Sequence, residues 1–223
     1  MPRSLPLTLY SYWRSSAAYR VRIALNLKGL KYATVPVHLV REGGEQHAAA
    51  YTALNPQKLV PTLVHGDRVI GQSLAIIEYL DESFEPSCLL PVDARSRARV
   101  RGMAQLVASD MHPLNNLRVL RYFEHAWNVP QSERDEWISH WITEGFSALE
   151  VLVAGNDATG TFCHGDTPGL ADCCLVPQAF NARRFGVDVA RFPTLARIDA
   201  ACAKLPAFAQ AHPARQPDAP EAA

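Results

Sequence analysis

Every stretch of this chain that alternates like a β-strand lies before Gln72, and beyond about residue 92 the apolar residues recur only at helical spacing. That switch predicts a small mixed α/β domain followed by an all-helical one, and 223 residues are enough for two modest domains. LTLYSY at 7–12 predicts a strand, and Ser15–Gly29 a helix stopped by glycine. YATVPVH at 32–38 is a second β-rich run; with the helical signal at 46–54 it completes a βαβ unit, whose strands should be parallel. VPTLVHGDRVIGQS reads as two short strands around Gly66-Asp67, a hairpin, and LAIIEYLDESF at 74–84 closes this half with apolar residues at 74, 76, 77 and 80. The order βαβαββα predicts a four-stranded mixed sheet with helices on its faces. The proline-containing stretch EPSCLLPVDARSR suits a linker, which puts the domains at 1–86 and 92–223.

In the second domain Val100, Met103, Val107, Met111 and Leu114 recur at intervals of three and four, and Trp137, Trp141, Phe146 and Leu149 continue the pattern, as expected of a helical bundle. Pro113 predicts a kink there, and HPARQPDAPEAA an irregular tail. Lysine plus arginine equals aspartate plus glutamate at 22 each, so no overall field draws the chain to nucleic acid or an anionic membrane. Any anionic ligand must then be met by local arginines. No apolar run approaches the roughly 18 residues of a membrane span, and the N-terminus lacks the apolar core of a secretory leader, which points to the cytoplasm. Cys88, Cys163, Cys173, Cys174 and Cys202 have neither a CxxC pair nor metal-ligand spacing; they read as reduced packing residues, with no metal expected.

Three motifs can carry chemistry. In WRSSAAYRVRIAL, Ser15 and Ser16 stand between the first strand and the first helix, either as a plain helix cap or as a site where free N–H groups and partial positive charge favour an anion such as a thiolate. Val60-Pro61-Thr62 opens a short strand after a strand-helix-strand unit. A cis proline there leaves the backbone of Val60 open to a peptide-like ligand, whereas a trans proline is an ordinary strand start. Gln72-Ser73 is another polar pair at a helix start, suited to a carboxylate or to simple capping.

WRSSAAYRVRIAL, LNPQKLVPTL, QSLAIIEYLDE, HPLNNLRVL and GDTPGLADCCLVPQ occur in the order found in the zeta-class glutathione transferases, and the resemblance spans roughly residues 7–218. This family includes the maleylacetoacetate isomerases and the bacterial maleylpyruvate isomerases. The resemblance implies the glutathione-transferase fold: a thioredoxin-like domain, then a helical bundle. It implies glutathione as cofactor, bound by Ser15, Ser16, Ala17, Arg20, Gln46, Val60, Gln72 and Ser73 from the first domain and by His112, Asn116, Leu117 and Arg118 from the second. On spacing, His112, Asn115 and Asn116 would share a helix face with Arg118 one row over. Ser15 is the residue credited with activating the thiol, with Ser16 and Arg14 beside it. Ala17 stands where the family motif often has cysteine, so the sulfur in play is glutathione's.

The implied reaction is the cis-trans isomerisation of maleylacetoacetate to fumarylacetoacetate in tyrosine and phenylalanine catabolism, by reversible thiolate addition. For the two carboxylates of the substrate the candidates are Arg14, Arg118 and Arg184, with Arg183 able to replace Arg184 if the placement is off by one. Asp172, three residues after a glycine at the cap position, is assigned to folding. Maleylpyruvate isomerisation, glutathione transfer to small halogenated acids, and glutathione binding without catalysis stay open beside this reading. A thiol-disulfide function has no cysteine at the first helix start. A homodimer is expected on family grounds.

Overall fold

A computed structural model describes residues 5–85 and 89–220. The described residues form two compact units: one built from the chain up to Leu89 together with the segment from Leu205 onward, the other running from Leu90 to Lys204. The first follows the expected order, β1 (Leu7–Ser11), α1 (Ser16–Leu27), β2 (Tyr32–Pro36), α2 (Ala49–Leu54), β3 (Thr62–His65), β4 (Arg68–Gly71) and α3 (Ser73–Ser83). β1 pairs parallel with β2 and antiparallel with β3, and β3 and β4 form the hairpin, giving the sheet order β2-β1-β3-β4. Leu9 in mid-β1, opposite Thr34 and Leu63, is fully buried.

α1 packs against α3, and every residue of α1 from Ala18 to Leu25 is buried. α3 turns Ile76, Ile77 and Leu80 inward, while Leu74 is half-buried. Lys28 and Asp81 fasten the two helices with an ion pair of 3.3 Å between enclosed side chains. The helix expected over 46–54 is shorter. Glu45–His47 is a 3-10 turn and α2 starts at Ala49, because Ala48 is extended (φ −60°, ψ 143°). A second core of Tyr12, Val37, Tyr51 and Val60, with Tyr10, Trp13, Leu39 and Leu54 packed on it, underlies the connecting loops.

The second unit holds α4 (Ala94–Gln105), a π-helical stretch (Leu106–Met111), α5 (His112–Leu114), α6 (Leu117–Trp127), α7 (Gln131–Ala154), α8 (Leu170–Arg184) and α9 (Pro193–Ala203). Val100, Met103, Val107 and Met111 are buried as the periodicity predicts; of the α7 set Phe146 and Leu149 are buried and Trp137 and Trp141 half-buried. α4 begins inside the expected linker, because Asp93 caps it by accepting from the Ser96 amide at 2.9 Å. Residues 86–88 of that linker, Cys88 included, lie outside the described residues. At Pro113 the chain does more than kink. Proline has no N–H for the carbonyl of residue 109; the helix widens into π turns before it, and stops at Leu114 after it.

α8 starts at Gly169, whose amide donates to Asp172 at 2.8 Å, and the other carboxylate oxygen takes the Cys163 amide at 2.9 Å. The folding role assigned to Asp172 follows from these bonds; burial pushes its carboxyl above the usual range. Cys163, Cys173, Cys174 and Cys202 are buried and form no disulfide.

The C-terminal end departs from the expected 92–223 boundary, since from Leu205 the chain packs with the first unit. α10 (Pro206–Ala211) lies on α1, where Arg22 Nε donates to the Ala211 carbonyl at 3.0 Å and Asn26 Nδ2 to that of Ala207 at 2.9 Å. The stretch read as an irregular tail makes a 3-10 turn at Pro213–Arg215. Residues 221–223 lie outside the described residues.

Candidate active site

Ser15 is the N-cap of α1: its Oγ accepts from the Ala18 amide at 3.2 Å and its carbonyl from the Tyr19 amide at 2.9 Å. A hydroxyl that accepts still has its own proton to give, so capping leaves Ser15 able to donate outward. Ser16 and Ala17 occupy the first helical positions, where backbone N–H groups have no partner within the helix. No acidic residue lies in this first turn to neutralise the positive end of the helix. Arg14, half-buried, stacks its guanidinium over the Trp13 ring at 5.4 Å.

The start of α3 is built differently. Gln72 takes φ +65°, and its side chain donates to Gln57 at 3.0 Å in place of capping the helix. Ser73 is buried, and its Oγ accepts from Arg20 Nη1 at 3.2 Å. Arg20 projects from the middle of α1 and is only 1% exposed, so a buried guanidinium stands behind the α3 terminus. This turn also lacks an acid. Ser15 and Ser16 at the start of α1 and Ser73 at the start of α3 thus lie on helices joined through Arg20.

Val60-Pro61 is a cis peptide bond, which settles the choice left open by the sequence. The segment around it is pinned from α2 and the residue after it. Tyr51 Oη donates to the Leu59 carbonyl at 2.5 Å and meets Thr62 Oγ1 at 2.9 Å, and Asn55 Nδ2 donates to the same two groups at 2.9 Å each. Burial pushes the Tyr51 phenol up, keeping it a donor. Gln46 is buried in the neighbouring loop. Its Nε2 reaches the Leu39 carbonyl at 3.4 Å, and its Oε1 is enclosed with no donor among the described residues. Gly44, at φ +113°, makes room for it, since a Cβ there would stand 2.5 Å from Gln46 Nε2. Glu45 braces the loop by accepting from the His38 amide at 2.7 Å and pairing with Arg41, and these contacts hold its carboxyl below the usual range.

In the helical unit His112 opens α5 and Asn116 is the N-cap of α6, accepting from the Arg118 amide at 3.1 Å. The shared helix face expected for His112, Asn115 and Asn116 does not form. The break after Pro113 sets Asn116 in extended backbone (ψ 139°), and its side chain serves the next helix. Trp137 Nε1 anchors this corner by donating to the Leu114 carbonyl at 2.9 Å. Asn115 keeps both amide atoms enclosed without a hydrogen-bond partner among the described residues, and Leu117 is half-buried. Arg118 is exposed. Of the two arginines ending α8, Arg183 is committed to Asp199 at 2.5 Å, whereas Arg184 lies over the Phe185 ring at 4.8 Å.

The sequence reading missed Tyr51 and Asn55, although Asn55 lies in the quoted LNPQKLVPTL. It also passed over Arg22, whose signal was a second charge on a largely apolar helix. Among the described residues no group of three His, Cys, Asp or Glu is gathered to hold a metal ion, and no helix is long and apolar enough to cross a membrane.

Residues 9–87 match the family described as glutathione S-transferase, N-terminal domain. A probable maleylacetoacetate isomerase of Vibrio cholerae is 50% identical over 96% of this chain and 99% of its own. Among solved structures, a bacterial maleyl pyruvate isomerase described as a zeta-class glutathione S-transferase superposes with a TM-score of 0.92 at 47% identity, covering 96% of this chain and 100% of that one. Maleylacetoacetate isomerase from Anaeromyxobacter dehalogenans, solved with dicarboxyethyl glutathione and citrate in its active site, gives 0.86 at 46% identity over 98% and 96%.

Proposed function

The chain belongs to the zeta-class glutathione transferases, the family of the maleylacetoacetate and maleylpyruvate isomerases, and on that premise we propose that it isomerises maleylacetoacetate to fumarylacetoacetate with glutathione as cofactor. The observation that carries the reading is Ser15: an N-cap hydroxyl with its proton still to give, at a helix start whose first amides have no partner within the helix and whose first turn holds no acid. Those groups fit a thiolate. The start of α3 fits the γ-glutamyl carboxylate, and family resemblance supports Gln46 as a further contact of the tripeptide. The relative solved with dicarboxyethyl glutathione holds what results when a glutathione thiol has added across a butenedioate.

When bound, glutathione supplies a sulfur nucleophile that adds reversibly to the alkene carbon, lets the former double bond rotate, and leaves unchanged. Ser15 and the α1 amides keep that sulfur ionised; each unit by which they lower the thiol pKa from about 8.5 corresponds to about 1.4 kcal/mol. Arg20 fixes Ser73 and so the α3 terminus. Family resemblance and charge support Arg14, Arg118 and Arg184 as the residues for the two carboxylates, since a guanidinium matches a carboxylate in bidentate fashion and offsets charge that gathers on a carbonyl oxygen. Family resemblance also supports a ligand-binding role for His112, Asn116 and Leu117. Family resemblance further supports a homodimer in the cytoplasm, which light scattering and fractionation would test.

The reading is tested by the isomerisation rates of maleylacetoacetate and maleylpyruvate with and without glutathione. Turnover that requires glutathione and is faster with maleylacetoacetate supports it. Faster turnover of maleylpyruvate reassigns the substrate, and no turnover of either diacid refutes it.

A further inference from the structure

The backbone of Trp13, two residues before Ser15, is held on both sides of its Cα. Its N–H donates to Asp218 Oδ2 at 2.8 Å across 205 positions of sequence, and its carbonyl accepts from Arg22 Nη2 at 3.0 Å. The Tyr12 carbonyl takes Arg22 Nη1 at 3.4 Å and closes a turn onto the Ser15 amide at 3.0 Å. Arg22 also bonds Ser11 Oγ at 3.1 Å and, through Nε, the Ala211 carbonyl. One buried guanidinium therefore ties strand end, serine loop and α10 together, and the last stretch of chain returns to grip the same loop from outside. Burial pushes the Arg22 pKa down to about 10, with Asp218 among the groups that oppose the effect.

We propose that the segment from Leu205 onward positions the catalytic loop, and that Asp218 is the positioning residue: by accepting from the Trp13 amide it sets where the Ser15 hydroxyl stands. The proposal rests on Ser15 as the donor to the thiolate. A displacement of about 1 Å in a reacting group costs on the order of 100-fold in rate, so a loop tethered through the backbone of one residue transmits loss of the tether directly. Nothing in the composition of the last residues, rich in proline and alanine, announces this role; it follows from where α10 delivers them.

The test is a pH titration of the thiol of bound glutathione, read by thiolate ultraviolet absorbance, in the native chain, Asp218→Ala and Asp218→Asn, with thermal midpoints alongside. Asparagine keeps an oxygen that can accept from the Trp13 amide, and alanine does not. The native thiol should titrate below the free value of about 8.5, the Ala variant about one unit higher than native, a tenfold loss of thiolate at low pH, and the Asn variant as native. An Ala variant that titrates like the native chain overturns this inference and leaves the role of Ser15 standing. Equal loss in Ala and Asn also overturns it, since the accepted hydrogen bond would not be the cause. A native thiol that titrates as it does in water overturns the role of Ser15 and this inference together.

Discussion

The two units treat their candidate residues in opposite ways. In the first, Ser15, Gln46, Val60 and Ser73 sit on backbone or side chains held by named partners: Asp218 and Arg22 behind the serine loop, Tyr51 and Asn55 behind the cis peptide, Arg20 behind α3. In the helical unit the corresponding stretch straddles a helix break. Arg118 and Arg184 are exposed, and the contact of Arg184 with Phe185 is a stacking onto its own neighbour in sequence. A site that must place one sulfur atom needs rigid walls, while one that grips two carboxylates tolerates reach and rotation. The proposed function therefore assigns activation of the thiol to residues held by many partners and contact with the diacid to exposed ones.

The largest expected effect tests whether the helical unit depends on a few buried bonds. Asp172→Ala removes an acceptor of two amides from a site 1% exposed; about 3 kcal/mol of stability should be lost in denaturant unfolding, from an orphaned amide and a lost cap. Unfolding unchanged within 0.5 kcal/mol would show that the carboxylate is dispensable (roughly the scatter for surface substitutions). Next, Ser15→Ala should cut turnover about 100-fold, as removal of one donor to a developing or resting anion does, with glutathione affinity changed far less. A parallel loss of affinity and turnover would make Ser15 a binding residue only.

Smaller effects sharpen the contrast. Arg184→Ala should raise KM for the diacid about tenfold, while Arg183→Ala, which breaks a half-exposed pair with Asp199, should leave KM alone and cost stability of under about 1 kcal/mol. The reverse result would move the carboxylate contact to Arg183. The smallest effect is one of pH. His212 lies edge-on to Tyr19 at 6.2 Å and accepts from the Ala214 amide; burial first, then Arg215 and Arg22, lower its pKa below the ordinary value of about 6.5. The folded chain therefore binds fewer protons at this site than the unfolded chain does. Its contribution is fully present above about pH 6.5 and is lost as pH falls toward the lowered value. Proteolysis at the C-terminal segment should accelerate over that window, and His212→Gln should flatten the dependence.

The order of strands and helices was legible because β alternation ends before Gln72, only helical spacing follows, and each turn carries its own signal, as Gly66-Asp67 does. The serine pair and Val60-Pro61 were legible as motifs because each is local. What escaped was nonlocal or depended on a single missing bond. Asp218 meets Trp13 only because α10 docks on α1, and no spacing rule reaches that far. Pro113 was read as a kink in one helix, but the break freed Asn116 to cap the next, and the predicted common face of His112 and Asn116 disappeared with it. Arg183 and Arg184 are adjacent and chemically identical, so spacing cannot separate them, and the pairing of Arg183 with Asp199 is again a nonlocal contact.

The central claim is that the sulfur of glutathione, held by the first unit, does the chemistry. It is tested most directly by following maleylacetoacetate isomerisation with glutathione and with S-methylglutathione, which offers the same peptide contacts without a thiol. The account predicts turnover with glutathione alone and competitive inhibition by the methylated form. Isomerisation supported by S-methylglutathione would contradict it.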